Sequence, residues 1–264
     1  MKSVIVIPAR YGSMRLPGKP LALISGSSLL FRTWSIARSV NNVDEVYIAT
    51  DDERIEQHAL AFDAKVIMTK PCETGTDRVY DAITHLKIKP EVIINLQGDA
   101  VLTPPWVIQS LVDTMIASPE VELGTLATKM TPEQYQLIVN SKKNGEVGGT
   151  TVVFDLKQNA LYFSKTIIPF MRAKSDAGAY RHIGLYGFRY ATLEKYINLP
   201  QSPLELTEGL EQLRALENGI PIRIVVVDYQ GRTHWAVDSQ DDIIMVEKII
   251  SAEGELVVSQ KVTA

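Results

Sequence analysis

Short apolar runs alternating with segments of helical period dominate the first half of this chain. Residues 4–7 (Val-Ile-Val-Ile) are an apolar run expected as a buried strand. Leu30, Trp34, Ala37 and Val40 then recur at helical spacing behind Ser27 or Ser28, either of which can cap the helix. Residues 45–50 read as a strand ended by Asp51-Asp52, which can cap a helix running through Phe62. A strand at 65–68 follows, then a helix entered around 74–78 with Val79, Ile83 and Leu86 on one face, then a strand at 92–96. This alternation predicts right-handed β-α-β crossovers and an α/β fold: a mainly parallel sheet with helices on both faces.

The pattern changes near residue 120. Strands are predicted at 123–129, 150–154, 160–164 and 182–189, the last alternating so that His182 and Tyr186 share a face. A short helix is expected at 132–139, a polar glycine-rich loop at 140–149 and another polar loop at 171–179. Ser202-Pro203 opens a helix drawn through Glu217, a strand covers 222–227, and Ser239 starts a last helix ending near Ser251. Residues 253–264 carry no pattern, and no internal repeat is visible.

Chemistry enters with the loop after the first strand. Residues 8–20 hold Pro8, Ala9, Gly12, Ser13, Pro17 and Gly18 together with three cations, Arg10, Arg15 and Lys19. Glycines let backbone N–H groups approach an anion, and prolines reduce the entropy lost on ordering. Cations five and four residues apart in a wrapped loop can all face one polyanion, with Arg supplying forked donors and Lys a compact charge. The loop matches neither the Walker pattern nor the dinucleotide fingerprint, which weakens P-loop NTPase and Rossmann dehydrogenase readings.

Ligands of such sheets sit outside the carboxyl ends of the strands. That gathers four loops on one edge: 8–20, Asp51-Asp52, 74–78 and 97–99. Asp99 ends the Gln97-Gly98-Asp99 turn, and Asp238 ends Trp235-Ala236-Val237-Asp238. Two carboxylates facing a cationic loop suit a Mg²⁺–nucleotide, since Mg²⁺ takes hard oxygen ligands and phosphates complete its shell. Asp238 suits capping of the last helix equally well, Asp99 can be a turn residue, and His182 can be a core or strand-edge imidazole.

Composition narrows the classes. The chain has 264 residues, 45% hydrophobic and 22% charged, enough for one α/β domain or one domain with an inserted lobe. A formal charge of −4 supplies no global field for nucleic acid, so a phosphate site must be local. The single Cys72 excludes an internal disulfide framework and fits a reducing compartment. No apolar run reaches membrane-spanning length, so a cytoplasmic chain with no cleaved signal is expected.

Residues 7–20, Asn95-Leu-Gln-Gly-Asp99, the 181–189 segment, Pro203-Leu-Glu205 with Glu211-Gln-Leu-Arg214, and Val237-Asp238 resemble the 3-deoxy-manno-octulosonate (Kdo) cytidylyltransferases from the N-terminus to about residue 250. The resemblance implies a nucleotidyltransferase-type sheet plus a smaller mixed lobe for sugar binding and dimerisation. Its parts would be a CTP-binding half at 1–120, a sugar and dimer part at 121–220, a return to the main sheet at 221–252, and a tail at 253–264. It implies a bacterial cytoplasmic homodimer joining CTP to an acidic eight-carbon sugar, with release of pyrophosphate, for lipopolysaccharide synthesis. Nucleic acid and membrane are not expected partners. By the family pattern Pro8, Ala9, Arg10, Gly12, Ser13, Arg15, Lys19, Gly75, Arg78 and Gln97 bind the nucleotide, with Arg10, Arg15, Lys19 and Asp99 catalytic. Asp99 and Asp238 would ligate Mg²⁺, and Gln97, His182, Tyr186, Glu211 and Gln212 would face the sugar.

The chain departs from that pattern at two places. Relatives continue Gln-Gly-Asp with Glu-Pro where this chain has Ala100-Val101, and a Val-Lys-Val lysine is replaced by Thr within residues 145–152. Both lie near the expected sugar, which points to altered sugar selectivity and favours the 8-amino analogue of Kdo, whose ammonium gains nothing from a neighbouring cation. A cytidylyltransferase for another acidic sugar, such as a neuraminate-type substrate, is an alternative. A nucleotide-binding regulatory homologue without activity is another.

Overall fold

The computed structural model describes residues 2–13, 15–143, 148–173 and 178–257. The predicted loops at 140–149 and 171–179 and the tail therefore lie partly outside the described residues.

In chain order the elements are β1 (Ser3–Pro8), a 3₁₀ turn (Lys19–Leu21), β2 (Leu23–Ile24), β3 (Ser27–Ser28), α1 (Leu29–Arg38), β4 (Glu45–Thr50), α2 (Glu53–Leu60), β5 (Lys65–Met68) and α3 (Gly75–Thr84). Then come β6 (Val92–Asn95), α4 (Pro105–Ala117), β7 (Leu123–Lys129), α5 (Pro132–Lys143), β8 (Thr151–Phe154), β9 (Ala160–Ser164) and β10 (Tyr180–Arg189). The chain finishes with α6 (Tyr190–Ile197), α7 (Pro203–Glu208), α8 (Gln212–Glu217), β11 (Ile222–Val226) and α9 (Gln240–Glu253).

The main sheet runs β11-β7-β10-β6-β1-β4-β5, and β8 and β9 extend it from the start of β10. β1 pairs in parallel with β4 and β6, β4 with β5, and β7 with β11; only β10 runs antiparallel on this path. The α/β expectation holds, and its mixed part is the β8–β9 ribbon. β1 is buried along its whole length because helices cover both faces. Ile5 and Ile7 pack in one core with Leu30, Ile55 and Leu111, whereas Val4 and Val6 pack in another with Val79, Phe188 and Leu213. Gly187 on β10 lets α4 approach closely: a Cβ there would lie 2.9 Å from Met115 Cγ.

Several boundaries differ from the sequence reading. The helix drawn over 202–217 is two helices, because Gly209 ends α7 in the left-handed region at φ 63°. Buried Arg214 on α8 then joins them by two hydrogen bonds to Glu205 on α7. α5 extends four residues beyond its expected end, and β10 begins two residues earlier. α4, α6 and the β2–β3 hairpin carry no expectation from the sequence. No helix among the described residues is long and apolar enough to cross a membrane.

Removing one partner of a buried charge pair leaves the other uncompensated. Glu205→Ala is therefore expected to lower stability by about 3–5 kcal/mol, also losing the bond from the Ser202 N–H to Glu205. A urea midpoint shift corresponding to less than about 1 kcal/mol would contradict this.

Candidate active site

The four loops expected at one sheet edge meet there. The ends of the first loop are tied together: the Ser13 and Gly18 amides both donate to Tyr11 O, at 2.9 and 3.0 Å, and the Lys19 amide donates to Leu16 O. Gly18 sits at φ 69° with the Tyr11 ring over it, so any side chain there meets both strain and a ring at 3.2 Å. Arg54 of α2, paired with Asp52, stacks 3.4 Å from the Tyr11 ring centroid. Gly75, the first residue of α3, packs against Pro8 and Gln97, where a Cβ would come within 3.3 Å of each. The same argument places Gly98 under Pro8 O.

At this edge Lys19 draws two distant acids together. Its Nζ donates to Asp99 Oδ2 at 2.9 Å, to Asp238 Oδ1 at 3.1 Å and to the Val237 carbonyl at 2.7 Å. Arg15 pairs with the other Asp238 oxygen at 3.1 Å, across a more exposed contact. Burial pulls the Lys19 pKa down, but the two carboxylates more than offset it and hold the ammonium above the ordinary lysine value. Asp238 does not cap the last helix: Ser239 does, its hydroxyl accepting from the Asp242 amide. The Asp238 carboxylate is thereby left to the loop cations.

Not every residue expected to bind the nucleotide enters this corner. Arg10 and Gly12 are exposed on the loop, and Ser13 is half-buried. Arg78 is buried and pairs with Asp51 at 3.0 Å while donating to Thr69 Oγ1, so its guanidinium ties α3 to the ends of β4 and β5. Thr74 and Asp77 form a capping box that fixes the first turn of α3.

The residues expected around the sugar form a second cluster beside the first. Tyr186 Oη donates to Gln212 Oε1 at 3.0 Å, and the His182 and Tyr186 rings lie 5.8 Å apart. The β10 irregularity between Ile183 and Tyr186 adds two residues, so His182 and Tyr186 still share a face. Thr125 Oγ1 lies 2.9 Å from both His182 Nε2 and the Leu185 carbonyl. The single hydroxyl proton serves the carbonyl, which makes Nε2 the imidazole donor and leaves Nδ1 as acceptor. Burial, aided by the charge of Lys165, pulls His182 down to about 3, so the ring is neutral. Glu211 accepts from Thr76, and burial raises its carboxyl against the pull of that hydrogen bond. Gln212 Nε2 is buried without a hydrogen-bond partner among the described residues, a donor left over for a ligand.

Sequence reading missed Lys165, Thr125 and Asn95. Lys165 is half-buried just past β9, its pKa lowered by burial and supported by Glu208 and Asp238. Nothing in residue spacing joins these three groups. The two carboxylates fit a Mg²⁺ ion by donor chemistry, since both already reach one cation and Mg²⁺ sites typically take one or two carboxylates plus phosphate oxygens.

A cationic loop after β1 with two carboxylates at the carboxyl edge of a mainly parallel sheet defines a nucleotidyltransferase-type α/β enzyme. Residues 4–224 match the family model described as cytidylyltransferase. The 3-deoxy-manno-octulosonate cytidylyltransferase of Maricaulis maris is 52% identical over 97% of this chain and 100% of that protein, and that of an Anaeromyxobacter species is 41% identical over 94% and 96%. The structure of a CMP:2-keto-3-deoxy-manno-octonic acid synthetase complexed with CTP superposes with a TM-score of 0.85 at 36% identity, covering 96% of this chain and 100% of that one. The 4-diphosphocytidyl-2C-methyl-D-erythritol synthase of Anaerococcus prevotii shares the fold alone, with a TM-score of 0.60 at 14% identity. The chain belongs to the 3-deoxy-manno-octulosonate cytidylyltransferase family and is a CTP-dependent nucleotidyltransferase.

Because the folded-state Lys19 pKa is raised, its contribution to stability is complete below the unfolded-state value and is lost as pH rises through the folded-state value. The stability gap between wild type and Lys19→Met, read from urea unfolding, should stay constant from about pH 7 to 9 and shrink above about pH 10.4, the unperturbed lysine value. A gap that instead widened through the alkaline range would contradict the pairing.

Proposed function

We propose that this chain transfers the cytidylyl group of CTP to an acidic eight-carbon keto sugar of the Kdo type, giving the CMP-sugar and pyrophosphate for lipopolysaccharide synthesis. The observation that carries this reading is the meeting of Lys19, Asp99 and Asp238 at the carboxyl edge of the sheet, beside the Glu211–Gln212–Tyr186–His182 cluster. The anomeric hydroxyl attacks the α-phosphorus in line with departing pyrophosphate, and no side chain needs to form a covalent bond. Arg10, Arg15 and Lys19 neutralise the triphosphate, with the loop glycines admitting it to backbone N–H groups. Asp99 and Asp238 hold Mg²⁺, which when bound lowers the pKa of an attacking hydroxyl and screens phosphate charge. Gln97, Gly75 and Arg78 frame the cytidine side. His182 Nδ1 accepts from a sugar hydroxyl and Gln212 Nε2 donates to another, which would satisfy the buried amide left over in the free protein.

Of the two sugars we favour 8-amino-3,8-dideoxy-manno-octulosonate over Kdo itself. Ala100 and Val101 place two apolar side chains beside the metal corner, Val101 buried against Val237. Thr151, from the segment where relatives carry lysine, keeps its hydroxyl occupied by the Thr166 carbonyl and the Ile168 amide. An ammonium-bearing substrate loses nothing there and avoids a like charge. The proposal includes a cytoplasmic homodimer, which the exposed Leu156, Leu161 and Phe170 on and beside the β8–β9 ribbon support.

Pyrophosphate release from CTP and Mg²⁺ with each sugar tests the reading. Turnover of either sugar, with the 8-amino analogue having the higher kcat/KM, is expected; preference for plain Kdo refutes the finer proposal, and no release with either refutes the whole. Asp99→Asn and Asp238→Asn should each lower kcat by about 10²-fold or more, the scale of losing a group aimed at transition-state charge. Unchanged rates would remove both from the metal corner.

A further inference from the structure

A chain of polar side chains runs from Gln97, in the turn after β6, to Glu211 at the start of α8. Gln97 Nε2 donates to Asn95 Oδ1 at 3.2 Å, and Asn95 Nδ2 donates to Thr76 Oγ1 at 3.2 Å. Thr76 Oγ1 in turn lies 3.1 and 3.2 Å from the two carboxylate oxygens of Glu211. Thr76 and Asn95 are 1% and 0% exposed, so water does not substitute for any link they make.

The direction of the chain is fixed by its last member. When Glu211 is ionised its carboxylate only accepts, so the one hydroxyl proton of Thr76 points at it; burial raises that carboxyl's pKa, and this direction is that of the ionised state. Thr76 Oγ1 must then accept from its other neighbour, which sets the Asn95 amide with Nδ2 toward Thr76 and Oδ1 toward Gln97. Gln97 must donate in its turn. Reversing the Asn95 amide would spend the Thr76 proton on Oδ1 and set two oxygens against each other at Glu211. Donors aligned one way polarise one another in a buried setting.

Both ends of this chain are anchored. Gly75 presses against the Gln97 amide, with a Cβ there reaching within 3.2 Å of Oε1. At the far end Tyr196 Oη donates to the Glu211 carbonyl at 2.8 Å, and Gln212, the next residue, accepts from Tyr186. Thr76 itself belongs to the first turn of α3, which the Thr74–Asp77 capping box holds rigid. Its one hydroxyl proton is committed to Glu211, so it has no donor to offer a nucleotide.

We propose that Thr76 is a positioning residue that aims the Glu211 carboxylate at the sugar, its own hydroxyl held in line by the Asn95 amide. The proposal rests on the reading that Glu211 faces the sugar. Removing the hydroxyl frees the carboxylate to rotate while leaving the triphosphate loop, Asp99 and Asp238 untouched. Sugar binding should weaken and CTP binding should not.

The test uses the full chain with Thr76→Val, Thr76→Ser, Glu211→Gln and the Thr76→Val/Glu211→Gln double variant. CTP affinity is measured calorimetrically in Mg²⁺, and KM is measured for whichever of Kdo and its 8-amino analogue turns over faster. Thr76→Val should raise the sugar KM about tenfold, the scale of one hydrogen bond to a charged group, with CTP affinity within about twofold of wild type. Thr76→Ser should restore most of the loss, and the double variant should be no worse than Glu211→Gln alone, as for two residues acting through one contact. Thr76→Ala, which brings no new atoms into the site, is read in the same way should the valine variant fail to fold.

An unchanged sugar KM in Thr76→Val beside a raised one in Glu211→Gln overturns the proposal alone. A parallel fall in CTP affinity, or losses that multiply in the double variant, also overturns it. An unchanged sugar KM in Glu211→Gln overturns the placement of Glu211 beside the sugar, and the proposal with it.

Discussion

The ammonium of Lys19 is the point on which the site depends. Its neighbours Asp99 and Asp238 lie 80 and 219 residues away in sequence. Two carboxylates brought this close repel, and a lysine this far from water loses solvation; each difficulty offsets the other. The loop after β1, the turn after β6 and the segment before α9 are therefore held in one place by a single charge balance. The contact is worth more than an exposed ion pair because the Lys19 side chain is only 19% exposed, whereas the Arg15–Asp238 pair, with Arg15 69% exposed, contributes little by itself.

Packing around that charge keeps the geometry. Gly18, Gly75 and Gly98 each stand where a side chain would push the loop off Tyr11, Gln97 or Pro8. The segment bearing Asp238 is anchored through the helix that follows it. Glu247 accepts from the Ser25 amide, and Glu255 beyond α9 pairs at 2.7 Å with buried Arg32, whose guanidinium also holds the Ile24 carbonyl. The β2–β3 hairpin, directly downstream of the loop cations, is thus clamped to the same helix that delivers the second carboxylate. Around Glu211 and His182 the corresponding restraint comes from hydrogen bonds between His182 and Thr125, from Tyr186 to Gln212 and from Thr76 to Glu211.

Much of this was legible in the chain because it is written in local period. β1, β4, β5 and β6 are short apolar runs bounded by polar turns, and α1 and α3 carry hydrophobic stripes behind capping residues at Ser28 and Thr74. The convergence of the loop cations with Asp99 and Asp238 followed from the rule that ligands gather at the carboxyl edge of such a sheet. α4 went unread although Val107, Ile108, Leu111, Val112 and Met115 recur at helical spacing and make its buried face. The break at Gly209 was hidden because a lone glycine inside a helical stretch is tolerated, and only its left-handed backbone reveals the turn. Competing roles for Asp238 could not be separated by spacing; Ser239 takes the capping role only once its hydroxyl meets the Asp242 amide. Lys165 and Asn95 matter through partners far away in sequence, which no local pattern encodes.

The most direct test of a magnesium-bearing nucleotide held between the first loop and two distant acids is CTP binding measured calorimetrically with and without Mg²⁺. It is made on the wild-type chain and on the Asp99→Asn/Asp238→Asn double variant. The expected result is CTP affinity at least about tenfold higher with the metal in the wild type, about 1.4 kcal/mol, and no metal dependence in the variant. Equal metal dependence in both proteins would contradict the assignment of these carboxylates to the ion.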